Sequence, residues 1–222
     1  PYFVSIDTEI TRSVAAGCQW IIYRSMQKTG RTSKAQDTAA RGRGRPRAFD
    51  REDALAKATR LFWSKGYEAT SISDLTEAMG IGSPSLYAAF GSKEALYAEA
   101  LRHYRENYEA IVWAGFMSAP TAREAFRSLL MDSAKALTGC VVDVPRGCMV
   151  ALSAVGSEGH AELGEAVRTA RALGLDRLKA RLKKAIADGE ISPAIDVSAL
   201  ARYVQAVQGG MSLLARDGDR KS

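Results

Sequence analysis

The sequence predicts an all-α protein. Long segments are rich in Ala, Leu, Arg, Glu and Lys, which favour helices, and apolar residues recur three and four positions apart. No segment shows the alternating apolar and polar pattern of a half-buried β-strand. Only 6 prolines interrupt the 222 residues, so the core is expected to form between packed helices.

The first two helices are predicted from their caps. Asp50 is a favourable N-cap for the first helix, and Gly66 ends it. The apolar stripe of this helix contains Ala54, Ala58, Leu61 and Phe62. Ser71 caps a short second helix that ends at Gly80, and Asp74 follows three residues later, a pattern close to a capping box.

A tight turn, Gly80-Ile81-Gly82, separates the second helix from a third. Ser83 is the predicted N-cap of this third helix, with Pro84 at its first position, and Gly91 ends it. Two short helices joined by such a turn predict a helix-turn-helix motif over residues 72–91, within a three-helix domain at 48–95. The second helix of this motif fits the major groove of DNA, with its N-terminal residues at the bases.

The rest of the chain, residues 96–222, is predicted to form a second, helical domain. Ser92 caps a long fourth helix, and Thr121 with Glu124 forms a capping box for a fifth. The apolar segment 148–155 is expected to be a buried helix, preceded by a break at 138–147. The further predicted helices are 93–117, one that starts at 121, 160–188 and 197–215.

The net charge of +6 is concentrated in residues 1–49, which carry nine basic and three acidic side chains. The basic residues are densest at 41–47, which include Arg43, Arg45 and Arg47. We expect residues 1–47 to be a disordered basic extension that binds DNA phosphates, or inserts Arg into a narrow minor groove as an AT-hook does. A solvated tail without a role in DNA binding is the alternative.

Other functional classes have little support. The sequence lacks the common nucleotide-binding and hydrolase motifs, and His103 and His160 have no partners at ligand spacing, so we expect neither enzyme activity, a cofactor nor a metal. Cys140 and Cys148 are interpreted as buried, unreactive thiols rather than a redox pair. No apolar run approaches a membrane span, and a cytoplasmic location is expected.

The segment 49–101 resembles the DNA-binding domain of the tetracycline-repressor (TetR) family. The motifs that carry this resemblance, in chain order, are Ala58-x-x-Leu61-Phe62, Gly66-Tyr67, Thr70-Ser71-Ile72, Gly80-Ile81-Gly82, Leu86-Tyr87 and Phe90-x-Ser92-Lys93-Glu94. The resemblance implies a DNA-binding transcriptional regulator of bacteria. Its expected mechanism is that of a ligand-responsive repressor, which binds a near-palindromic operator as a homodimer. An architectural, A·T-preferring DNA-binding protein without a sensor is the alternative.

The resemblance also implies positions for the DNA contacts. Ser71 and Ser73 would touch phosphates, and Tyr87 and Lys93 would hold the DNA backbone. The residues expected at or beside the base edges are Gly82, Ser83, Pro84, Ser85, Ala88 and Ala89. Position 89 departs from the family, which often has an aromatic residue or His there. With Ser and Ala dominating this face, specificity is expected to depend on thymine methyl groups, water and DNA shape.

The second domain is implied to bind a small-molecule effector and to form the dimer. The predicted effector is apolar or aromatic, because the sequence shows no group of polar residues expected to converge on one pocket. Its expected contacts are Tyr104, Tyr108, Trp113, Met117, Met131, Cys148, Met149 and Leu152. The predicted dimer interface comprises the helices at 160–188 and 197–215. Their apolar stripes would seek partners in a second copy, and they contain Leu175, Leu178, Leu182, Ile186, Leu200, Tyr203, Val204 and Val207.

Overall fold

A computed structural model describes residues 49–140 and 143–218. These residues form eight α-helices and no strand. The helices are α1 Arg51–Lys65, α2 Ile72–Met79, α3 Ser83–Phe90, α4 Lys93–Ser118, α5 Ala122–Leu137, α6 Met149–Leu152, α7 Ala161–Ala187 and α8 Val197–Asp217. The predicted basic extension, with Arg43, Arg45 and Arg47, lies outside the described residues.

Local capping chemistry sets the ends of the first helices. The Asp50 side chain accepts hydrogen bonds at the start of α1, and Ser71 and Asp74 form a complete capping box at the start of α2, both as predicted. The prediction for α3 was one residue late. Gly82, in extended conformation, is the N-cap, since its carbonyl accepts the first helical bonds, and Pro84 is the second helical residue.

The first hydrophobic core joins α1, α2 and α3 to the first half of α4. Leu75 and Leu86, from the two helices of the helix-turn-helix, are fully buried in it. The Phe62 ring meets Tyr97 edge-to-face, with centroids 5.1 Å apart, which fixes α1 against α4. The core positions therefore hold the helix-turn-helix rigidly on the long helix α4.

A second core joins the other half of α4 to α5, α7 and α8. Its buried members are Phe116, Ala125, Leu129, Leu178, Leu182, Ala201 and Val204. The prediction that the apolar stripes of α7 and α8 face a second copy was therefore wrong for several residues. Leu178, Leu182 and Val204 pack inside the protomer because α7 and α8 turn these faces toward α4 and α5. The exposed apolar residues of α7 and α8 are Leu173, Tyr203, Leu213 and Leu214.

The apolar segment 148–155 is less helical than predicted, since only Met149–Leu152 forms a turn of helix. Beyond it, the chain passes close to α7, where Gly156 and Gly164 face each other. A Cβ on Gly164 would lie 2.5 Å from the Cα of Gly156. The approach of the two backbones explains why α7 tolerates a glycine near its start, despite the cost to helix propensity.

Candidate DNA-binding face and internal cavity

The helix α3 divides its residues between a buried face and an exposed one. Leu86 and Phe90 are buried against the first core. The opposite face exposes the predicted residues Gly82, Ser83, Pro84, Ser85, Tyr87 and Ala88, whereas Ala89 is partly buried. Small side chains at the N-terminal turn allow close approach to a groove.

The start of α2 contributes two exposed serines, Ser71 and Ser73. Both donors of Ser71 are already used, since its N–H and its hydroxyl each donate to Asp74, at 2.9 and 2.8 Å. Lys65 donates to the same carboxylate at 2.9 Å and offsets its charge. Ser71 therefore shapes the beginning of α2, and Ser73 offers the less committed hydroxyl.

Tyr67 positions the first turn of α4. The Nζ of Lys93 lies 4.2 Å from the centre of the Tyr67 ring, and the Tyr67 hydroxyl donates to Glu94 at 2.8 Å. Burial, followed by the bond to Glu94, raises the pKa of Tyr67 above its usual range, so the hydroxyl stays a donor. The ammonium group of Lys93 is thereby held on the Tyr67 ring at the start of α4, which begins three residues after the end of α3.

Arg51 is a positioning residue that the sequence analysis missed. Its guanidinium stacks on the Phe90 ring at 4.5 Å and binds both carboxylate oxygens of Glu99 at 2.8 Å. It also donates to the carbonyl of Ala89 at 3.4 Å. The C-terminal end of α3 is thus clamped between α1 and α4. An exposed Arg in the first turn of a helix gave no signal of this role.

A cavity of about 450 Å³, partly open to solvent, lies between α4, α5, α6, α7 and α8. Of the predicted contacts, Tyr104, Tyr108, Trp113 and Cys148 line it. The other four predicted contacts, Met117, Met131, Met149 and Leu152, do not. Met117 is 68% exposed on the outer side of α4, and Met149 is buried in the first core. Apolar character alone could not distinguish these environments.

Cysteine placement also differs from the sequence interpretation. Cys140 is exposed, and Cys148 is only partly buried and faces the cavity. The Tyr104 hydroxyl donates to the Cys148 Sγ at 3.3 Å, and burial raises the pKa of Tyr104 well above the usual value. Tyr104 therefore stays protonated and fixes one wall of the cavity.

Polar groups that the sequence analysis missed also line the cavity. They are Glu109, Ser133, Arg171, Arg177, Arg202, Gln205 and Gln208. Arg177 donates to Glu109 at 3.0 Å and lies 5.2 Å from the Trp113 ring centre. In sequence these charged residues follow the polar faces of helices, and only the packing of α7 and α8 against α4 brings them together.

Several contacts tie the helix-turn-helix domain to the helices that surround the cavity. The Trp63 indole donates to the carbonyl of Gly147 at 2.9 Å. Arg216, in the last turn of α8, donates to the carbonyls of Trp63 and Ser64 at 2.7 and 3.2 Å, which caps the C-terminal end of α1. His160, at the start of α7, bonds Glu68 and packs on the Tyr67 ring.

The described residues contain no cluster of His, Cys, Asp or Glu that could hold a metal ion. Among the helices that the structure describes, none is long and apolar enough to cross a membrane.

The comparisons with known proteins agree with this geometry. The model of "Bacterial regulatory proteins, tetR family" matches residues 54–100. The chain is 37% identical over 181 residues to the HTH-type transcriptional repressor ComR of Escherichia coli, a match that covers 80% of this chain and 85% of that protein. The chain belongs to the TetR family of bacterial regulatory proteins.

Further relatives of this TetR-family chain extend the comparison to DNA. A cysteine mutant of the TetR family transcriptional regulator CifR, complexed with 26-bp double-strand operator DNA, has a TM-score of 0.72 and 40% identity. The match covers 78% of this chain and 90% of CifR. The uncharacterized HTH-type transcriptional regulator YezE of Bacillus subtilis is 29% identical, over 78% of this chain and 89% of that protein. The predicted family, all-α fold and role as a DNA-binding transcriptional regulator are confirmed.

Proposed function

We propose that this TetR-family regulator is a homodimeric repressor of a near-palindromic operator, and that a small molecule in the cavity releases it. The observation that carries the proposal is the exposed N-terminal turn of α3, which buried Leu86 and Phe90 hold in place. ComR is named as a transcriptional repressor, and CifR is bound to operator DNA in its complex. Because its operator would lie on the chromosome, the protein would act in the cytoplasm.

The proposed DNA contacts follow the exposed positions. Ser83, Pro84 and Ser85, with Ala88 and Ala89 beside them, would face the bases, and Gly82 would let the backbone approach. Tyr87, Lys93 and Ser73 would hold phosphates on either side of the groove, with Ser71 at the start of α2. Arg43, Arg45 and Arg47 would add phosphate or minor-groove contacts from the preceding segment.

The proposed route from cavity to DNA runs through α4. Tyr104, Tyr108 and Trp113 of this helix line the cavity, and its first residue, Lys93, follows three residues after the end of α3. A ligand that binds more tightly to a conformation with a shifted α4 would move both helix-turn-helix domains of the dimer. The two α3 helices would then no longer lie one turn of DNA apart. Operator affinity would fall without any contact between ligand and DNA.

Selection of binding sequences from random duplexes, followed by footprinting, tests this proposal. We expect a two-fold symmetric consensus whose half-sites lie about 10 bp apart or a multiple of that, as a rigid dimer requires. The architectural alternative, which the comparisons do not favour, would give A·T-rich sequences without a discrete footprint. That outcome would contradict operator recognition.

A further inference from the structure

The wall of the cavity carries an excess of positive charge. Arg171, Arg177 and Arg202 line it together with a single acidic residue, Glu109, so the lining contains three positively charged residues and one negatively charged residue. Glu109 is moreover shared, because it also accepts from Arg105 at 3.0 Å. A concave, partly apolar site with this balance concentrates anions and repels cations.

Arg171 is fixed in the wall by neutral partners. Its guanidinium donates to the carbonyls of Val150, Ala151 and Ser153, at 3.1, 3.2 and 2.6 Å. These bonds engage Nε and one of the two Nη atoms and hold the guanidinium in place, but carbonyl groups bring no net negative charge. The positive charge of Arg171 therefore remains available to a ligand as a long-range attraction.

Arg177 and Arg202 are better placed for direct contact. Arg202 is exposed, and within the described residues no carboxylate lies within salt-bridge distance of it. Arg177 is partly exposed, and its guanidinium lies over the Trp113 ring. An aromatic ligand could stack on the other side of this guanidinium. Two planar donors that line the same cavity, one from α7 and one from α8, suit the bidentate recognition of a carboxylate or sulfonate.

Apart from Ser133, Gln205 and Gln208, the rest of the lining is mainly apolar and aromatic. It includes Tyr104, Tyr108, Val112, Trp113, Leu137 and Leu178. A small inorganic anion would leave these surfaces empty, whereas a neutral hydrocarbon would leave the guanidinium groups without a counter-charge. The lining therefore matches a ligand that combines both chemistries.

We infer that this cavity binds an amphipathic organic anion, with an aromatic body inside and an acidic group between Arg177 and Arg202. The inference rests on the proposed function and names the chemical class of its effector. The acidic group competes with Glu109 for Arg177, and because Glu109 lies on α4 and Arg177 on α7, binding loosens the ion pair between these helices.

Two dyes that differ only by an acidic group test the inference on the full chain. Anilinonaphthalene sulfonate is an aromatic anion, and phenylnaphthylamine is the same aromatic body without the sulfonate. We expect the sulfonate to bind about tenfold more tightly, with an advantage that falls as salt is added. Arg177→Gln and Arg202→Gln should each weaken only the sulfonate, by about fivefold. Glu109→Gln should strengthen it, because the competing carboxylate is gone.

Arg168→Gln is the matched control, since Arg168 lies on α7 but pairs with Glu165 outside the cavity. The inference is overturned if the neutral dye binds as tightly as the sulfonate, if neither dye binds, or if the control weakens binding as much as the cavity variants. Operator binding by the dye-free protein is measured in parallel. Failure there contradicts the proposed repressor, whereas wrong dye selectivity with intact operator binding contradicts only the anionic effector.

Discussion

At the level of single residues, Tyr87 is distinctive within the exposed face of α3. It is 47% exposed, and the other exposed positions of the helix are Ser, Pro or Ala. Its ring extends beyond these small side chains, so its hydroxyl can reach the DNA backbone while they approach the bases. Loss of that hydroxyl should change affinity more than sequence preference.

Tyr87→Phe is the corresponding prediction. Removing one hydrogen bond to a charged phosphate from each protomer should weaken binding of the dimer about a hundredfold, for operator and scrambled duplexes alike. Fluorescence anisotropy with both duplexes measures this, and the thermal unfolding midpoint should not change because the hydroxyl is exposed. A loss confined to the operator would mean that Tyr87 reads bases rather than phosphates.

The buried and exposed faces of α3 could be predicted from the sequence, but the lining of the cavity could not. In α3, a period of 3.6 residues separates buried Leu86 from exposed Ser85 and Tyr87 without knowledge of the rest of the fold. Arg171 and Arg177 follow the polar face of an amphipathic helix, where a solvated arginine is the ordinary expectation. Only the packing of three helices reveals that they share a cavity with Trp113, and that Met117 does not.

At the level of helices, the ends of α2 show how local chemistry fixes the motif. The Asp74 carboxylate accepts from Lys65, then from the N–H and hydroxyl of Ser71, and these bonds lower its pKa from 3.8 to about 2. At the other end, Gly80 takes a left-handed conformation, with φ of 70°, and turns the chain toward α3. Such local features were readable from sequence, whereas the close approach of Gly156 to Gly164 depends on how distant parts of the chain pack.

Asp74→Asn should reduce stability in a pH-dependent manner. Because the folded-state pKa is depressed, the ionised carboxylate stabilises the native state above pH 3.8, and this contribution disappears as pH falls toward about 2. The difference in urea midpoint between the native protein and the variant should therefore be largest near neutral pH and should decrease as the pH falls through this acidic range. A difference that stays constant down to the acid limit would show that the charge of Asp74 is not what stabilises the cap.

At the level of the whole molecule, α7 and α8 leave an exposed apolar face. Leu173, Tyr203, Leu213 and Leu214 are 40%, 67%, 54% and 71% exposed, respectively. Ala206 and Gly210 lie between the last three on α8 and would let a second helix approach closely. We still propose that α7 and α8 form the dimer interface. The residues that would contact the partner differ from the apolar stripes predicted from the sequence, because most of those residues pack inside the protomer.

Leu214→Glu should convert the proposed dimer into monomers, because it would bury an unpaired charge at the centre of the interface. Light scattering coupled to size exclusion should then give the mass of one chain. Operator affinity should fall by about a hundredfold or more, since each half-site would have to be bound independently. Met117→Glu is the matched control: Met117 is similarly exposed, at 68%, but lies on α4, so this variant should remain dimeric. If both variants dissociate, or neither does, the interface lies elsewhere, and the one-turn spacing of the reading helices must be set by other contacts.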